Sequence, residues 1–185
     1  MHASMFMIHR NRKRSGFPHH VLGLDIMGNF ALIFNFHERK IDLIEEPTHN
    51  AILTNDMVAG SKNHFCLEVL FDGIKGMALW DTGASITVVD QAFIEKNPSL
   101  FTYESKTMGT DSGGISQETS VFRMSRSVIG GCHFESINIA SVDLSHINSK
   151  SSIPIDMILG YPTISQYKWH IDFLHRKWGI DLAEQ

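Results

Sequence analysis

Polar and apolar residues alternate along most of the chain after Phe65, and short turn sequences interrupt the alternation at intervals. An alternation with a period of two predicts half-buried β-strands. Residues 65–71 and 74–80 flank Asp72-Gly73, a dipeptide that tolerates the positive φ angles of a two-residue hairpin turn. The pattern therefore predicts a hairpin over residues 65–80 and a chain built mainly from short strands.

Similar signals continue to the C-terminus. Residues 103–124 combine a polar, glycine-rich centre with flanks of strand propensity, which predicts a long hairpin with a mobile tip. The other predicted elements are strands over 86–89, 121–129, 132–142 and 153–160, a closing hairpin of 169–173 with 178–182, and short helices over 90–96 and 161–167. Asp90 suits the N-cap of the first helix. Many short strands with one or two short helices favour a mainly β fold, a small closed or partly closed barrel.

The length and composition indicate one globular domain, with room for an appendage. The 185 residues are 43% hydrophobic and 19% charged, close to the average of soluble domains. Sixteen basic and 20 acidic residues give a formal net charge of −4, which argues against nucleic-acid binding. Cys66 and Cys132 lack the spacing of a disulfide scaffold or a zinc site and are predicted to be buried.

The sequence contains no export or membrane signal that we can recognise. No run approaches the roughly 20 apolar residues that span a bilayer. The basic cluster at 10–14 follows the apolar residues 5–8, which is the reverse of the order in a secretory signal. We therefore expect a cytoplasmic protein without a membrane partner, and a basic, flexible tail over residues 1–16.

An N-terminal segment repeats part of the C-terminal sequence. A shift of 137 positions, the separation of Leu22 from Leu159, aligns residues 22–44 with 159–181, and five of the 23 aligned positions are identical. The identities are Leu22/Leu159, Gly23/Gly160, Phe36/Phe173, Arg39/Arg176 and Lys40/Lys177. Two explanations stay open. Either residues 17–46 are the closing part of a preceding, truncated lobe, joined by a linker over 47–64 to a complete domain at 65–185, or two apolar strand pairs with basic turns are similar by chance.

The most specific motif is Leu-Trp-Asp-Thr-Gly-Ala-Ser at residues 79–85. A carboxylate at the end of a buried strand is costly unless it is hydrogen-bonded, so a protein that keeps Asp81 there has a use for it. Gly83 lets the backbone turn tightly beneath the carboxylate, and the hydroxyls of Thr82 and Ser85 can brace and orient it. The motif makes Asp81 the first candidate for a functional residue.

Two motifs together resemble those of the retropepsin-like aspartic proteases, the single-lobe relatives of pepsin. Residues 78–85 match the apolar-apolar-x-D-T-G-A-S signature, and residues 157–160, Met-Ile-Leu-Gly, match the later apolar-apolar-Gly segment. The hairpin at 103–124 lies between them, where the family places its flap. The resemblance covers residues 65–182 and implies a small closed β-barrel with a flap hairpin.

The resemblance also implies roles for individual residues. Asp81 would be the catalytic acid, Thr82 would lock two D-T-G loops together, and Gly83 and Ser85 would support the carboxylate. The remaining residues of the supporting loops would be Ala84, Ile158, Leu159 and Gly160, and those of the substrate-binding flap would be Gly109, Thr110, Asp111, Ser112, Gly113 and Gly114. No metal and no cofactor is expected.

The function implied by the resemblance is peptide-bond hydrolysis by a water molecule held between two aspartates. The chain contains a single D-T-G, so Asp81 would meet its own copy in a two-fold homodimer that binds a peptide or protein substrate. The N-terminal strands would add to the sheet between subunits, or they would be the remnant of a first lobe that carried its own aspartate. A second function stays open: a catalytically inactive domain that acts as a dimerisation or peptide-binding module.

Two other chemistries fit the sequence less well. The sequence 111–114, Asp-Ser-Gly-Gly, has the letters of a serine-protease nucleophile loop, but Thr110 precedes it and no matching upstream histidine motif is present. The 11 histidines, including His170 and His175, lack the spacing of a metal site. Trp169 and Trp178 are predicted to be cross-strand core residues.

Overall fold

The computed structural model describes residues 24–44, 52–58, 64–110 and 116–181, and these residues are mainly in β-strands. The strands are β1 (Ala31–Asn35), β2 (Lys40–Leu43), β3 (Asn55–Asp56), β4 (Cys66–Phe71), β5 (Ile74–Trp80), β6 (Thr87–Asp90), β7 (Phe101–Thr110), β8 (Ser116–Met124), β9 (Ser127–Ile129), β10 (Cys132–Phe134), β11 (Ile137–Val142), β12 (Met157–Leu159), β13 (Lys168–Asp172) and β14 (Lys177–Asp181). The helices are α1 (Leu24–Met27), α2 (Gln91–Lys96), α3 (Ser145–Asn148) and α4 (Tyr161–Ile164), with a 3₁₀ helix at Pro98–Leu100. The mainly β prediction is confirmed. None of the described helices is long and apolar enough to cross a membrane.

The strands form two sheets. The larger sheet has the order β10-β9-β4-β5-β12-β6-β11-β8-β7, and the smaller has the order β2-β1-β13-β14-β3. Neither sheet closes on itself within the described residues, so the predicted closed barrel is not confirmed. The turn between β4 and β5 is the predicted one, since Asp72 and Gly73 adopt φ angles of 34° and 88°.

Strand β5 lies in the interior of the larger sheet, and its C-terminal end lies next to that of β12. The two strands are parallel, with Ile158 opposite Leu79 and Leu159 opposite Trp80. On its other side β12 pairs antiparallel with β6, with Met157 opposite Val89. This order brings residues 157–160 beside the D-T-G sequence, although about 75 residues separate them along the chain.

Helix α2 begins directly after Asp90, as predicted, but the carboxylate of Asp90 does not cap it. Its Oδ1 instead accepts a hydrogen bond from the backbone N–H of Leu144, 3.2 Å away. The side chain therefore connects the end of β6 to the segment after β11. The position of the helix follows from local sequence, whereas the hydrogen bond of this carboxylate depends on the segment after β11 that packs beside it.

The N-terminal and C-terminal hairpins have matching element bounds and matching registers. Elements α1 and β1 coincide with α4 and β13 at an offset of 137 residues, and β2 coincides with the first four residues of β14. In the first hairpin Leu32 pairs with Leu43 and Phe34 with Ile41. The equivalent pairs in the second hairpin have the same spacing, namely Trp169 with Ile180 and Ile171 with Trp178.

The turns of the two hairpins are also alike. Arg39 and Arg176, which are equivalent at this offset, both adopt a left-handed backbone, with φ of 54° and 55°. In the first turn the Oδ1 of Asn35 accepts from the N–H of Glu38 at 3.0 Å. In the second, the Oδ1 of Asp172 accepts from the N–H of His175 at 2.9 Å. The repeat in the sequence therefore corresponds to a repeat in backbone geometry.

The predicted linker contributes a strand to the smaller sheet. Strand β3 pairs with the outer edge of β14, where Asn55 lies opposite Trp178. Met57, directly after β3, is buried and its backbone N–H donates to the carbonyl of Arg176 at 2.9 Å. Residues 52–58 therefore pack against the C-terminal hairpin.

The core lies between the sheets and is continuous from the N-terminal hairpin to the C-terminal one. Trp169 and Trp178 are both buried, as predicted, and their rings stack with centroids 5.7 Å apart. Trp80 lies edge-on to Trp169 and to Phe34 of β1, with ring centroids 6.0 and 4.9 Å away. Cys66 and Cys132 are both buried, as predicted.

Candidate active site

Asp81 follows directly after the last residue of β5, at the point where the strand leaves the sheet. The buried, apolar character of β5 determines this position, because Ala78 and Trp80 belong to the core and the polar sequence begins at the next residue. The backbone N–H of Asp81 donates to the carbonyl of Leu159 at 3.1 Å. The parallel pairing of β5 with β12 therefore continues to the acid itself.

The backbone of the D-T-G turn holds the Asp81 carboxylate. The N–H of Gly83 donates to the Asp81 Oδ1 at 2.8 Å, and the N–H of Ala84 donates to the Asp81 carbonyl at 3.4 Å. Asp81 itself is partly exposed, whereas Thr82 and Gly83 are exposed. One carboxylate oxygen is thus held by a backbone donor, which orients the group, and within the described residues no hydrogen bond is made to Oδ2.

Gly160 allows the Leu-Gly segment to approach the D-T-G turn closely. A Cβ atom on Gly160 would lie 2.4 Å from the carbonyl oxygen of Ile86 and 2.8 Å from that of Ala84. The next residue, Tyr161, donates its backbone N–H to the Ala84 carbonyl at 2.8 Å. The two segments are therefore joined backbone to backbone, and a side chain at position 160 has no space.

A pair of buried threonines, which sequence reasoning missed, supports the same junction. The Thr87 Oγ1 lies 2.7 Å from the Thr163 Oγ1, and the N–H of Gly160 donates to the Thr87 Oγ1 at 3.0 Å. Both threonines are almost fully buried. The only signal in the sequence was that Thr87 interrupts the apolar run at 86–89, where a buried hydroxyl requires a partner.

Among the residues that the resemblance placed around the acid, the structure brings Gly83, Ala84, Leu159 and Gly160 into backbone contact with the turn. Ile158 lies one residue earlier on β12, paired with Leu79 and Val88. Ser85 is exposed, and within the described residues it makes no hydrogen bond with Asp81. The proposed locking role of Thr82 needs a second D-T-G loop and stays a prediction.

A cavity of about 540 Å³ lies beside the turn. Thr82 and Gly83 line one side of it. The other lining residues come from the N-terminal helix and hairpin and from α4, and they are Met27, Phe34, Asn35, Phe36, Arg39, Lys40, Ile41 and Tyr161. The D-T-G turn therefore opens onto the N-terminal segment.

The predicted flap corresponds to the hairpin of β7 and β8. Its strands pair as far as Thr110 opposite Ser116, and Gly109 lies opposite Gln117. The four other predicted flap residues, Asp111, Ser112, Gly113 and Gly114, lie outside the described residues. No described residue of β7 or β8 lines the cavity beside Thr82, so the function of this hairpin as a flap stays a prediction.

Two ionisable groups that do not line the cavity have shifted pKa values. Burial raises the pKa of Asp156, against the effect of a hydrogen bond that its Oδ2 accepts from the Met77 N–H at 2.7 Å. Burial lowers the pKa of His170, against the effect of nearby Asp181. In the part of the chain that the structure describes, no three histidine, cysteine, aspartate or glutamate side chains are grouped so that they could hold a metal ion.

The two motifs that resemble those of aspartic proteases meet in the structure, where the Asp-Thr-Gly turn at the end of β5 lies beside the Leu-Gly segment of the parallel strand β12. The sequence profile of the aspartyl protease family matches residues 67–163, which is more than half of the chain. This chain belongs to the aspartyl protease family.

Solved structures that are similar to this chain include retropepsin-like enzymes. A retropepsin-like aspartic protease from Rickettsia conorii is 17% identical, and the match covers 68% of this chain and 87% of that one, with a TM-score of 0.43. The foamy viral protease-reverse transcriptase, solved with an RNA/DNA hybrid, is 18% identical with a TM-score of 0.39. That match covers 55% of this chain but only 12% of the viral one. No curated protein sequence matches this chain.

Proposed function

We propose that this chain supplies one of the two catalytic aspartates of an aspartic endopeptidase, and that Asp81 is that residue. The observation that supports the proposal is that the Gly83 N–H orients the Asp81 carboxylate in a turn whose next two residues, Thr82 and Gly83, line a cavity. Membership of the aspartyl protease family supports the same chemistry.

The chemistry requires two carboxylates that face one water molecule. Two carboxylates so close together cannot both ionise, so they share a proton and titrate as a pair. The ionised group removes a proton from the water, which attacks the peptide carbonyl, while the protonated group donates to the carbonyl oxygen. In this proposal the Gly83 N–H holds Oδ1 of Asp81, so that Oδ2 faces the water.

The second aspartate comes from another lobe across a two-fold axis. The sequence contains one D-T-G, and the homodimer expected from the sequence would use two copies of Asp81. In that arrangement the β7–β8 hairpins would close over an extended peptide, and the sheets would complete the closed barrel of a retropepsin-like enzyme.

The test is the substitution Asp81→Asn. Asparagine keeps an oxygen that accepts from Gly83 but cannot act as a base, so we expect peptide cleavage to fall by roughly 10²- to 10⁴-fold while the fold is kept. Asp72→Asn is the matched control, because Asp72 is an exposed turn residue at a φ angle that asparagine tolerates. The measurement is cleavage of a peptide library by the two-lobed assembly, across acidic and neutral pH, with a thermal melt of each variant.

The inactive module is the second candidate, and the observation that favours it is the single D-T-G in the chain. A module of this kind would bind peptides without cleaving them, and Asp81→Asn would change nothing in the cleavage assay. Equal cleavage by the wild type and Asp81→Asn, each measured with the second lobe present, would therefore contradict the protease proposal.

A further inference from the structure

A pseudo-two-fold axis relates the N-terminal hairpin to the C-terminal hairpin. Strands β1 and β13 pair antiparallel, with Ile33 opposite His170, and these two residues are also equivalent at the offset of 137. Two equivalent residues that face each other in an antiparallel pair lie on either side of a two-fold axis. The smaller sheet therefore has the symmetric order β2-β1 and β13-β14 about that axis.

The two hairpins differ in how much of their equivalent surface is covered. Trp178 and Ile180 on β14 are 3% and 7% exposed, whereas their equivalents Ile41 and Leu43 on β2 are each 44% exposed. Phe30 is 41% exposed, whereas its equivalent, Tyr167, is partly buried. We name Phe30, Ile41 and Leu43 the uncovered face.

The body of the domain, residues 64–159, covers the C-terminal hairpin. The ring of Trp178 lies 5.7 Å from that of Phe65, and the ring of Tyr167 lies 4.8 Å from that of Phe134. The Tyr167 hydroxyl also donates to the His133 carbonyl at 2.7 Å. A two-fold rotation about the axis would place an equivalent body against Ile41, Leu43 and Phe30.

The outer edge of the sheet shows the same asymmetry. Strand β3 pairs with the outer edge of β14, whereas within the described residues no strand pairs with the outer edge of β2. The strand equivalent to β3 would precede an equivalent body. One missing lobe accounts for both the uncovered face and the unpaired edge.

A second copy of this chain does not fit this face. In each copy the surface of the body that binds a hairpin is already occupied by α4, β13 and β14 of the same chain. It is therefore not available to bind the uncovered face of another copy. The strand edge of β13, which a symmetric twin would need, is occupied by β1 over the residues from Ala31 to Phe34. A homodimer built on this edge would have to displace the N-terminal hairpin, together with the packing of Phe34 against Trp80.

We propose that the uncovered face binds a lobe that has the fold of residues 64–159 but lacks its own closing hairpin, and that this lobe, not a second copy of the chain, carries the second aspartate. The part of the proposal that concerns the second aspartate rests on the proposed function. The part that concerns a lobe on the uncovered face rests only on burial and symmetry. The cavity beside Thr82 and Gly83 then lies between two lobes, because Phe36 and Tyr161 line it from either side of the axis.

The first experiment locks the N-terminal hairpin in place in the full chain. Ile33→Cys combined with His170→Cys puts two cysteines directly opposite each other across β1 and β13, at a spacing that a disulfide spans. We expect the wild type and both redox forms of the variant to be monomers in sedimentation at high protein concentration. None of them should cleave peptides. A homodimer that forms in the reduced form, is lost on oxidation and cleaves peptides through Asp81 would overturn the proposal.

The second experiment supplies the missing lobe. In a tandem chain, residues 52–160, which include β3, precede residue 24, and the junction keeps the native spacing because Gly160 is equivalent to Gly23. We expect amide hydrogen exchange in β2 to slow at least tenfold relative to the single chain. Ile41→Asp should reverse this slowing, whereas Leu174→Asp, at an exposed turn residue outside the uncovered face, should not.

In the tandem the added body is a copy of one that packs against Trp169 and Trp178. The first hairpin has the smaller residues Leu32 and Ile41 at the equivalent positions. A second tandem therefore carries Ile41→Trp, so that a poor fit alone does not decide the result, and Leu32, which is already buried in the core, is left unchanged. Unchanged exchange in β2 in both tandems overturns the proposal. Slowed exchange without peptide cleavage would support the covering of the face by a lobe and contradict the proposed protease function. Cleavage by a homodimer of single chains would support the protease function and contradict the covering lobe.

Discussion

Asp81 is oriented by backbone groups, and these depend on how closely residue 160 approaches the D-T-G turn. The Gly83 N–H holds the carboxylate, the Leu159 carbonyl accepts from the Asp81 N–H, and Thr87 holds the N–H of Gly160. The carboxylate can turn only within the space that these backbone contacts leave. Its geometry is therefore sensitive to a single methyl group at position 160.

Gly160→Ala is expected to lower the free energy of unfolding by about 3 kcal/mol, because the added Cβ meets two backbone carbonyl oxygens that cannot move independently. Gly73→Ala is the matched control, since nothing lies within 4 Å of its added Cβ and its cost is only the positive φ of 88°, about 1 kcal/mol. Chemical denaturation of the two variants measures the difference. Equal losses would show that the approach of Gly160 to the turn is not as close as described.

His170 is buried on the pseudo-two-fold axis without a hydrogen-bond partner for either ring nitrogen within the described residues. Burial lowers its pKa from the ordinary 6.5; Asp181, whose Oδ2 is 3.7 Å from Nε2, opposes this shift, and Lys168 adds to it. The folded protein therefore keeps the ring neutral at a pH where the unfolded chain takes up a proton. The stability that depends on neutral His170 is complete above pH 6.5 and is lost as the pH falls toward the lowered pKa.

We expect His170→Leu to raise the free energy of unfolding by about 1 kcal/mol at neutral pH, because it removes two buried nitrogens without partners. The gain should grow below pH 6.5, where the wild type loses stability. Denaturation between pH 4.5 and about 7.5 measures the slope, a range chosen to bracket the ordinary histidine pKa of roughly 6.5. His133→Leu, at an exposed position, is the control and should leave the slope unchanged. A slope that survives in His170→Leu would assign the pH dependence to another group.

At the scale of elements, the two hairpins use the same turn but stabilise it differently. Arg39 and Arg176 both adopt a left-handed backbone, which costs an ordinary residue roughly 1–2 kcal/mol. The Nη2 of Arg176 donates to the Val58 carbonyl at 3.1 Å, whereas Arg39 lines the cavity. The strain is the same in both turns, but one of the two arginines also makes a hydrogen bond outside its turn.

Arg39→Gly is therefore expected to raise the free energy of unfolding by about 0.5 kcal/mol, since relief of backbone strain exceeds the entropy that glycine adds to the unfolded chain. Arg176→Gly should give no gain, because it also removes the bond to Val58. Thermal or chemical denaturation of the pair measures the contrast. If Arg39→Gly also gave no gain in the free energy of unfolding, Arg39 would make a stabilising contact of its own.

The elements also show which predictions local sequence supports. The β4–β5 hairpin, α2 and the closing hairpin lie within about two residues of the predicted bounds, because turn and cap residues mark their ends, and α4 begins where predicted but ends three residues earlier. Strand β3 was missed, since two residues in a polar segment carry no period and this strand forms only against β14. Helix α3 was missed, because it is a single turn within a polar stretch.

At the scale of the whole molecule, the smaller sheet joins the N-terminal segment to the domain. Leu32 and Phe34 belong to the same core cluster as Trp80 and Trp169, so the hairpin is packed into the domain and not appended to it. This packing places Phe36 and Tyr161 next to each other, with ring centroids 5.9 Å apart, beside the D-T-G turn. The repeat, the cavity and the candidate acid therefore lie in one region of the molecule.

Sequence alone determined the strand-rich class, the D-T-G turn, the hairpin turns and the offset of the repeat, because each depends on residues close together in the chain. Tertiary structure alone decided that Leu159 accepts from Asp81, that Thr87 pairs with Thr163, and that β1 occupies the edge of β13. These contacts join segments that are distant in sequence. A period-two pattern defines which face of a strand is buried, but it leaves the neighbours of that strand undetermined.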